Sequence, residues 1–141
     1  MADIKEKEAE VINEFELFDD WMDKYNYIIE LGKTVPPIKD EYKNEKYLIK
    51  GCQARVWLYA EYEEGLVNYF ADSDALITKG IIALLIKVLS GQPASEIVKY
   101  DMSFIDTIGL REHLSQTRSN GLANMIKQMK LYALAFEKKK Q

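Results

Sequence analysis

A second cysteine is missing from this chain. Cys52 stands alone among 141 residues, so no internal disulfide can form and the fold does not depend on an oxidising compartment. Histidine is as scarce. His113 is the only one, and without a C-x-x-C or H-x-x-x-H pair the chain has no close metal-ligand spacing. Positive charge is not in excess either. A formal net charge of -4 and a pI near 5.1 speak against a nucleic-acid binder, which needs a broad basic surface to displace phosphate counterions. No glycine-rich phosphate loop is present. The longest apolar run, Gly80 to Ile86 between Lys79 and Lys87, is far too short to span a bilayer. The opening Met-Ala-Asp-Ile-Lys-Glu-Lys-Glu has no apolar signal core. These absences predict a soluble, cytoplasmic protein.

What is present is a globular composition. Hydrophobic residues make up 48% of the chain, enough for a real core in one domain over residues 1–141. Val11, Ile12, Phe15 and Phe18 recur at helical spacing and predict a helix from about Ile4 to Phe18. Asp19-Asp20 opens a second helix with Trp21, Tyr25, Ile28 and Ile29 on its apolar stripe, and Gly32 is its expected stop. Val35-Pro36-Pro37-Ile38 reads as an extended connector, and Lys39 to Lys46 as a charged loop. After the strand region, Ala75 to Leu89 is apolar almost all round and predicts a helix in the middle of the core. Asp72 or Ser73 is its expected cap. Pro93 suits the first turn of a short helix to about Lys99. Phe104 to Ile108 reads as one further turn closed by Gly109. The last helix, from near Thr117 to about Glu137, buries Leu122, Met125, Ile126, Met129, Tyr132 and Phe136, and Lys138-Lys139-Lys140 reads as a solvated tail.

The stretch Tyr47 to Trp57 organises the rest. Tyr47, Leu48 and Ile49 precede a Gly51-Cys52-Gln53 break, and Val56 to Tyr59 follow it, all residue types that suit strands. Val56, Leu58, Ala60 and Tyr62 alternate with Arg55, Trp57, Tyr59 and Glu61. Glu63-Glu64-Gly65 turns the chain, and Leu66 to Ala71 returns as the hairpin partner. The predicted fold is therefore α+β, a small antiparallel sheet packed with helices, with Cys52 near one end of the sheet.

Each candidate for chemistry has a plainer alternative. Cys52 sits in a glycine break rather than at an in-facing strand position, which favours a reactive thiol over a buried structural one. His113 as a base for a cysteine hydrolase is a weak pairing, and a structural or surface role suits it better. Asp74, within Asp72-Ser73-Asp74, is either a recognition edge beside the thiol or part of a helix start. Arg118 opens the last helix, where a surface ion pair is the simpler role.

Gly51-Cys52-Gln53-Ala54-Arg55-Val56-Trp57 resembles the cysteine-loop signature of the SufE family of sulfur-acceptor proteins. So do Ala71-Asp72-Ser73-Asp74-Ala75 with Lys79-Gly80-Ile81-Ile82-Ala83, and His113-Leu114-Ser115-Gln116-Thr117-Arg118-Ser119-Asn120-Gly121-Leu122. Trp21 with Tyr27-Ile28-Ile29-Glu30-Leu31-Gly32 adds a fourth block, and the resemblance covers about residues 10 to 136. Gln116 stands where the family usually has proline, and Gln53-Ala54-Arg55 is a mild variant of the usual Gln-Ser-Arg or Gln-Ser-Gln. The resemblance implies the fold of SufE and the IscU-type scaffolds. It also implies a partner, a pyridoxal-phosphate-dependent cysteine desulfurase of the SufS or CsdA kind, and a downstream iron–sulfur scaffold. Cys52 would take persulfide sulfur, with its loop burying it at rest and extending it on docking. Gly51 would be the hinge, Gln53 part of the loop, and Asp74 and Arg118 loop-positioning or partner-contact residues. The pyridoxal phosphate belongs to the partner, so no cofactor is expected in this chain. A homodimer is common among relatives and is the expected state.

Two other roles compete. A non-catalytic adaptor would bind and regulate the desulfurase without carrying sulfur. An iron–sulfur scaffold needs several cluster ligands, and one thiol per chain argues against it.

Overall fold

The computed structural model describes residues 2–139. Helix α1 (Ile4–Glu16) starts at Asp3, whose carboxylate accepts from the Glu6 amide at 2.9 Å. Helix α2 (Trp21–Gly32) starts at Asp20, which accepts from the Asp23 amide at 2.9 Å. Both acids satisfy amides that a helix start leaves without partners. Helix α2 ends at Gly32 as expected, but not through a left-handed glycine cap: Gly32 is its last helical residue, and Lys33 holds the cap position. The role of Gly32 is close approach. A side-chain carbon on Gly32 would lie 3.1 Å from the Gly80 backbone nitrogen, and one on Gly80 would overlap the Ile28 carbonyl. The two glycines let α2 and the central helix cross nearly backbone to backbone.

The connector after α2 runs beside the sheet. Pro37 bridges to Ala71, and the Ala71 amide donates to the Pro36 carbonyl at 3.1 Å. The charged segment that follows folds into two short 3-10 turns, Asp40–Tyr42 and Glu45–Tyr47. Tyr47 to Ile49 does not form a strand. Leu48 makes one isolated bridge to Trp57, and the Ile49 amide donates to the Val56 carbonyl at 2.8 Å. The turn ending at Tyr47 leaves too little extended chain for more.

Strand β1 (Val56–Glu63) and β2 (Leu66–Ser73) form an antiparallel hairpin with Glu63 opposite Leu66. Val56, Leu58 and Ala60 of β1 and Val67, Tyr69 and Ala71 of β2 are buried, so one face of the hairpin is core, as its period-two pattern requires. A third strand escaped the sequence reading. β3 (Gln92–Pro93) pairs with Val67 and Leu66 and completes an antiparallel sheet of order β1-β2-β3. Pro93 is tolerated there because β3 is an edge strand, and it precedes rather than begins helix α4 (Ala94–Lys99).

Helix α3 (Leu76–Leu89) is buried without a break from Gly80 to Ile86. The short α5 (Phe104–Thr107) leads to α6 (Gln116–Lys139). Two tyrosine hydroxyls tie α6 to the sheet: Tyr69 donates to the Met129 carbonyl at 2.7 Å, and Tyr132 to the Leu58 carbonyl at 2.9 Å. Lys138 and Lys139 are exposed at the end of α6, and Lys140 lies outside the described residues. The fold is α+β: among the described residues, six α-helices accompany a three-stranded antiparallel sheet. No described helix is long and apolar enough to cross a membrane.

Candidate functional site

The site is the loop from Lys50 to Arg55, and both of its ends are fixed. At one end the Ile49 amide reaches the Val56 carbonyl at 2.8 Å. Beside it, Asp74 Oδ1 accepts from the Arg55 amide at 3.0 Å, and the Asp74 amide donates to the Arg55 carbonyl at 3.2 Å. Asp74 therefore ties the end of the thiol loop to the segment between β2 and α3. The neighbouring acids do not cap α3 as expected. Ala75 occupies the cap position, Ser73 Oγ accepts from the Ala75 amide at 3.3 Å, and Asp72 turns to lysines. Lys43 lies 2.8 Å and Lys79 3.3 Å from the Asp72 carboxylate. Partial burial pushes this carboxyl up, but hydrogen bonds from Lys43, the Ser73 amide and Lys79 outweigh it, so its pKa lies below the ordinary value.

Between these ends Gly51 has φ +85°, a left-handed conformation that side chains resist. The next residue turns its thiol inward. Cys52 is half-buried, and its Sγ–H faces the Gly121 carbonyl at 3.6 Å on α6. A carbon added at Gly121 would sit 3.5 Å from Sγ, an ordinary contact, so the thiol lies directly against this turn of α6. The thiol borders a pocket of about 240 Å³ shared by three segments: the loop (Cys52, Gln53), α3 (Thr78, Ile81) and the start of α6 (Arg118, Met125). Burial pushes the Cys52 thiol above its ordinary pKa. In this conformation the thiol keeps its proton and is a poor nucleophile, since the thiolate is the reactive form.

The residues singled out in the sequence divide as follows. Cys52, Gln53 and Arg118 line one pocket, Gly51 precedes the thiol, and Asp74 binds the loop end. Arg118 is exposed and makes no ion pair among the described residues. His113 is not among the lining residues. Its ring stacks on Trp21 at 3.9 Å, and its Nδ1 lies 3.0 Å from the Gly109 carbonyl. No described group of three or more His, Cys, Asp or Glu residues is placed to hold a metal ion. Two residues were missed as parts of the site. A glycine inside a long helix costs about 1 kcal/mol against alanine, so Gly121 carried a signal of close approach. Asn124, whose Nδ2 donates to the Gly51 carbonyl at 3.2 Å, carried none.

The family model described as "SufE: Fe-S metabolism associated domain" matches residues 9–133. An uncharacterised SufE-like protein of Rhizobium etli is 39% identical over 126 residues, covering 86% of this chain and 85% of its own. The SufE-like protein 1, chloroplastic/mitochondrial, of Arabidopsis thaliana is 38% identical over 140 residues, covering 99% of this chain but only 38% of that longer protein. The solution structure of a hypothetical protein from Thermus thermophilus superposes with a TM-score of 0.76 at 20% identity, over 92% of this chain and 94% of that one. At that identity the likeness speaks for the fold alone.

Proposed function

The chain belongs to the SufE family, whose domain is associated with Fe–S metabolism, and from that premise we propose that it is a cytoplasmic sulfur carrier working through Cys52. The donor is a pyridoxal-phosphate-dependent cysteine desulfurase holding sulfur as a persulfide on its own cysteine. The Cys52 thiol gives up its proton and the thiolate attacks the outer sulfur. A bond forms between Cys52 Sγ and that sulfur, the S–S bond of the donor breaks, and the donor cysteine leaves as a thiolate that takes up a proton. One persulfide and one thiol are consumed and one of each is formed, so no outside oxidant is needed. Cys52-S-SH then delivers the sulfur to an iron–sulfur scaffold. The cofactor chemistry stays in the donor enzyme.

One observation carries this reading: the chain's single cysteine sits behind a left-handed glycine, on a loop fixed at both ends, at the edge of a pocket. A lone thiol has no neighbour with which its persulfide could collapse into a disulfide. The closed loop shields it from oxidation, and the exchange requires the loop to carry it outward, with Gly51 as hinge. Gln53 and Arg118 line the pocket beside the thiol and Asp74 binds the loop end, and all three are assigned to loop positioning and donor contact.

The test is an intact mass taken without reductant after incubation with cysteine and a cysteine desulfurase. A species one sulfur atom heavier, absent in Cys52→Ser and lost on adding a thiol reductant, is the expected result. An unchanged mass with desulfurase activity still raised would identify an adaptor instead.

A further inference from the structure

We propose that Asn124 is a positioning residue for Cys52: its side-chain amide holds the thiol loop in the inward conformation by binding Gly51. This rests on the carrier reading for its purpose, but its geometry stands alone. Asn124 lies half-buried on α6, one turn after Gly121. Its Nδ2 donates to the Gly51 carbonyl at 3.2 Å, while the Gly121 carbonyl faces Cys52 Sγ at 3.6 Å. Consecutive loop residues are thus held by residues three apart on one helix, which lie on the same face. The thiol contact is the weaker of the two, since S–H is a poor donor. The amide contact is therefore the principal tether between the loop's middle and α6.

Gly51 and Asn124 also fit sterically. A side-chain carbon on Gly51 would overlap Asn124 Nδ2 and lie 3.1 Å from Asn124 Cγ. The amide fills the space that the glycine leaves open. When the loop swings outward, the Gly51 carbonyl must leave Asn124, and a docked donor that offers its own hydrogen-bond donor to that carbonyl offsets the loss. The loop then opens when a partner is present and stays shut when none is.

The experiment is the rate of Cys52 alkylation by iodoacetamide in the isolated full chain, followed across pH, alongside the urea unfolding midpoint. Opening precedes alkylation, so losing one amide–carbonyl bond raises the rate about fivefold. Asn124→Ala is expected to show that rise, while the exposed α6 control Lys127→Ala shows none. A role in stability alone would shift the urea midpoint and leave the native-state rate unchanged. Gly51→Ala supplies a second reading. In the wild-type background the added carbon must displace Asn124 and the rate rises further, whereas in the Asn124→Ala background the same change adds little beyond the backbone strain common to both. An unchanged rate in Asn124→Ala, or fully additive effects of the two substitutions, would overturn the proposal. No desulfurase enters these measurements, so failure of sulfur loading and failure of the tether are separately visible.

Discussion

The Asp74 carboxylate accepts the Arg55 amide at 3.0 Å, and the Asp74 amide returns a bond to the Arg55 carbonyl at 3.2 Å. This reciprocal pair fixes the point at which the thiol loop becomes β1. Asp74→Ala deletes the carboxylate bond and keeps the amide one, so the loop gains freedom while the hairpin stays intact. A hydrogen bond of this kind is worth about 1 kcal/mol, which translates to about a fivefold faster alkylation of Cys52. Asp74→Asn keeps an oxygen acceptor in place and should stay close to wild type. Equal rates in Asp74→Ala and wild type would show that the loop end is held without the carboxylate.

The crossing of α2 and α3 is a sharper test of the packing. Gly80→Ala places a carbon against the Ile28 carbonyl, a backbone atom that cannot rotate away. The helices must separate, at a cost of about 3 kcal/mol, the upper end of ordinary overpacking. Gly32→Ala meets the Gly80 nitrogen at 3.1 Å and should cost less. Urea unfolding of the two variants measures both, and the order Gly80 worse than Gly32 is the prediction.

That crossing also shows where the sequence stops being legible. Gly32 follows an apolar stripe, as a helix-ending glycine does, and nothing local shows that it also makes a close approach. That depends on Gly80, a partner distant along the chain. Periodicity served well where burial repeats along one element. The alternation of Val56, Leu58 and Ala60 and the apolar run of α3 both emerge as core. It failed for Gln92–Pro93, a strand too short to have a period. The thiol loop was visible because glycine and cysteine are rare and chemically distinct. Asn124 was not, since an asparagine on a helix has no signature until Gly51 is folded against it.

Burial of Cys52 predicts a pH signature. The folded state holds the thiol proton above its ordinary pKa, while the unfolded chain releases it near pH about 8.5. Cys52 therefore contributes stability that is fully present below that pH and is lost as pH rises through the folded value. The difference in urea midpoint between wild type and Cys52→Ser should hold steady below pH about 8.5 and shrink as pH rises above it. The alkylation profile should likewise have its midpoint at higher pH in native buffer than in urea. Coincident midpoints would mean that the thiol is already solvated in the folded protein.

Gly121 separates helix stability from thiol placement. It lies in the interior of α6, where glycine is about 1 kcal/mol worse than alanine, and it stands beside Cys52. A carbon added at Gly121 would stand 3.5 Å from Sγ and 4.0 Å from the Cys52 Cβ, ordinary contact distances that require no movement. Gly121→Ala is therefore expected to raise the urea midpoint without altering Cys52 alkylation. Loading is a different matter. A persulfide adds a second sulfur beyond Sγ, which must find room in the pocket of about 240 Å³ or stay outside with the loop open. If the loaded loop closes inward, the alanine methyl competes for that space, and the persulfide on Gly121→Ala should be reduced by added thiol faster than on wild type. If the loaded loop stays open, the two persulfides should be reduced at the same rate. Timing persulfide loss by intact mass distinguishes these outcomes, and the carrier reading, with protection by a closed loop, expects the first.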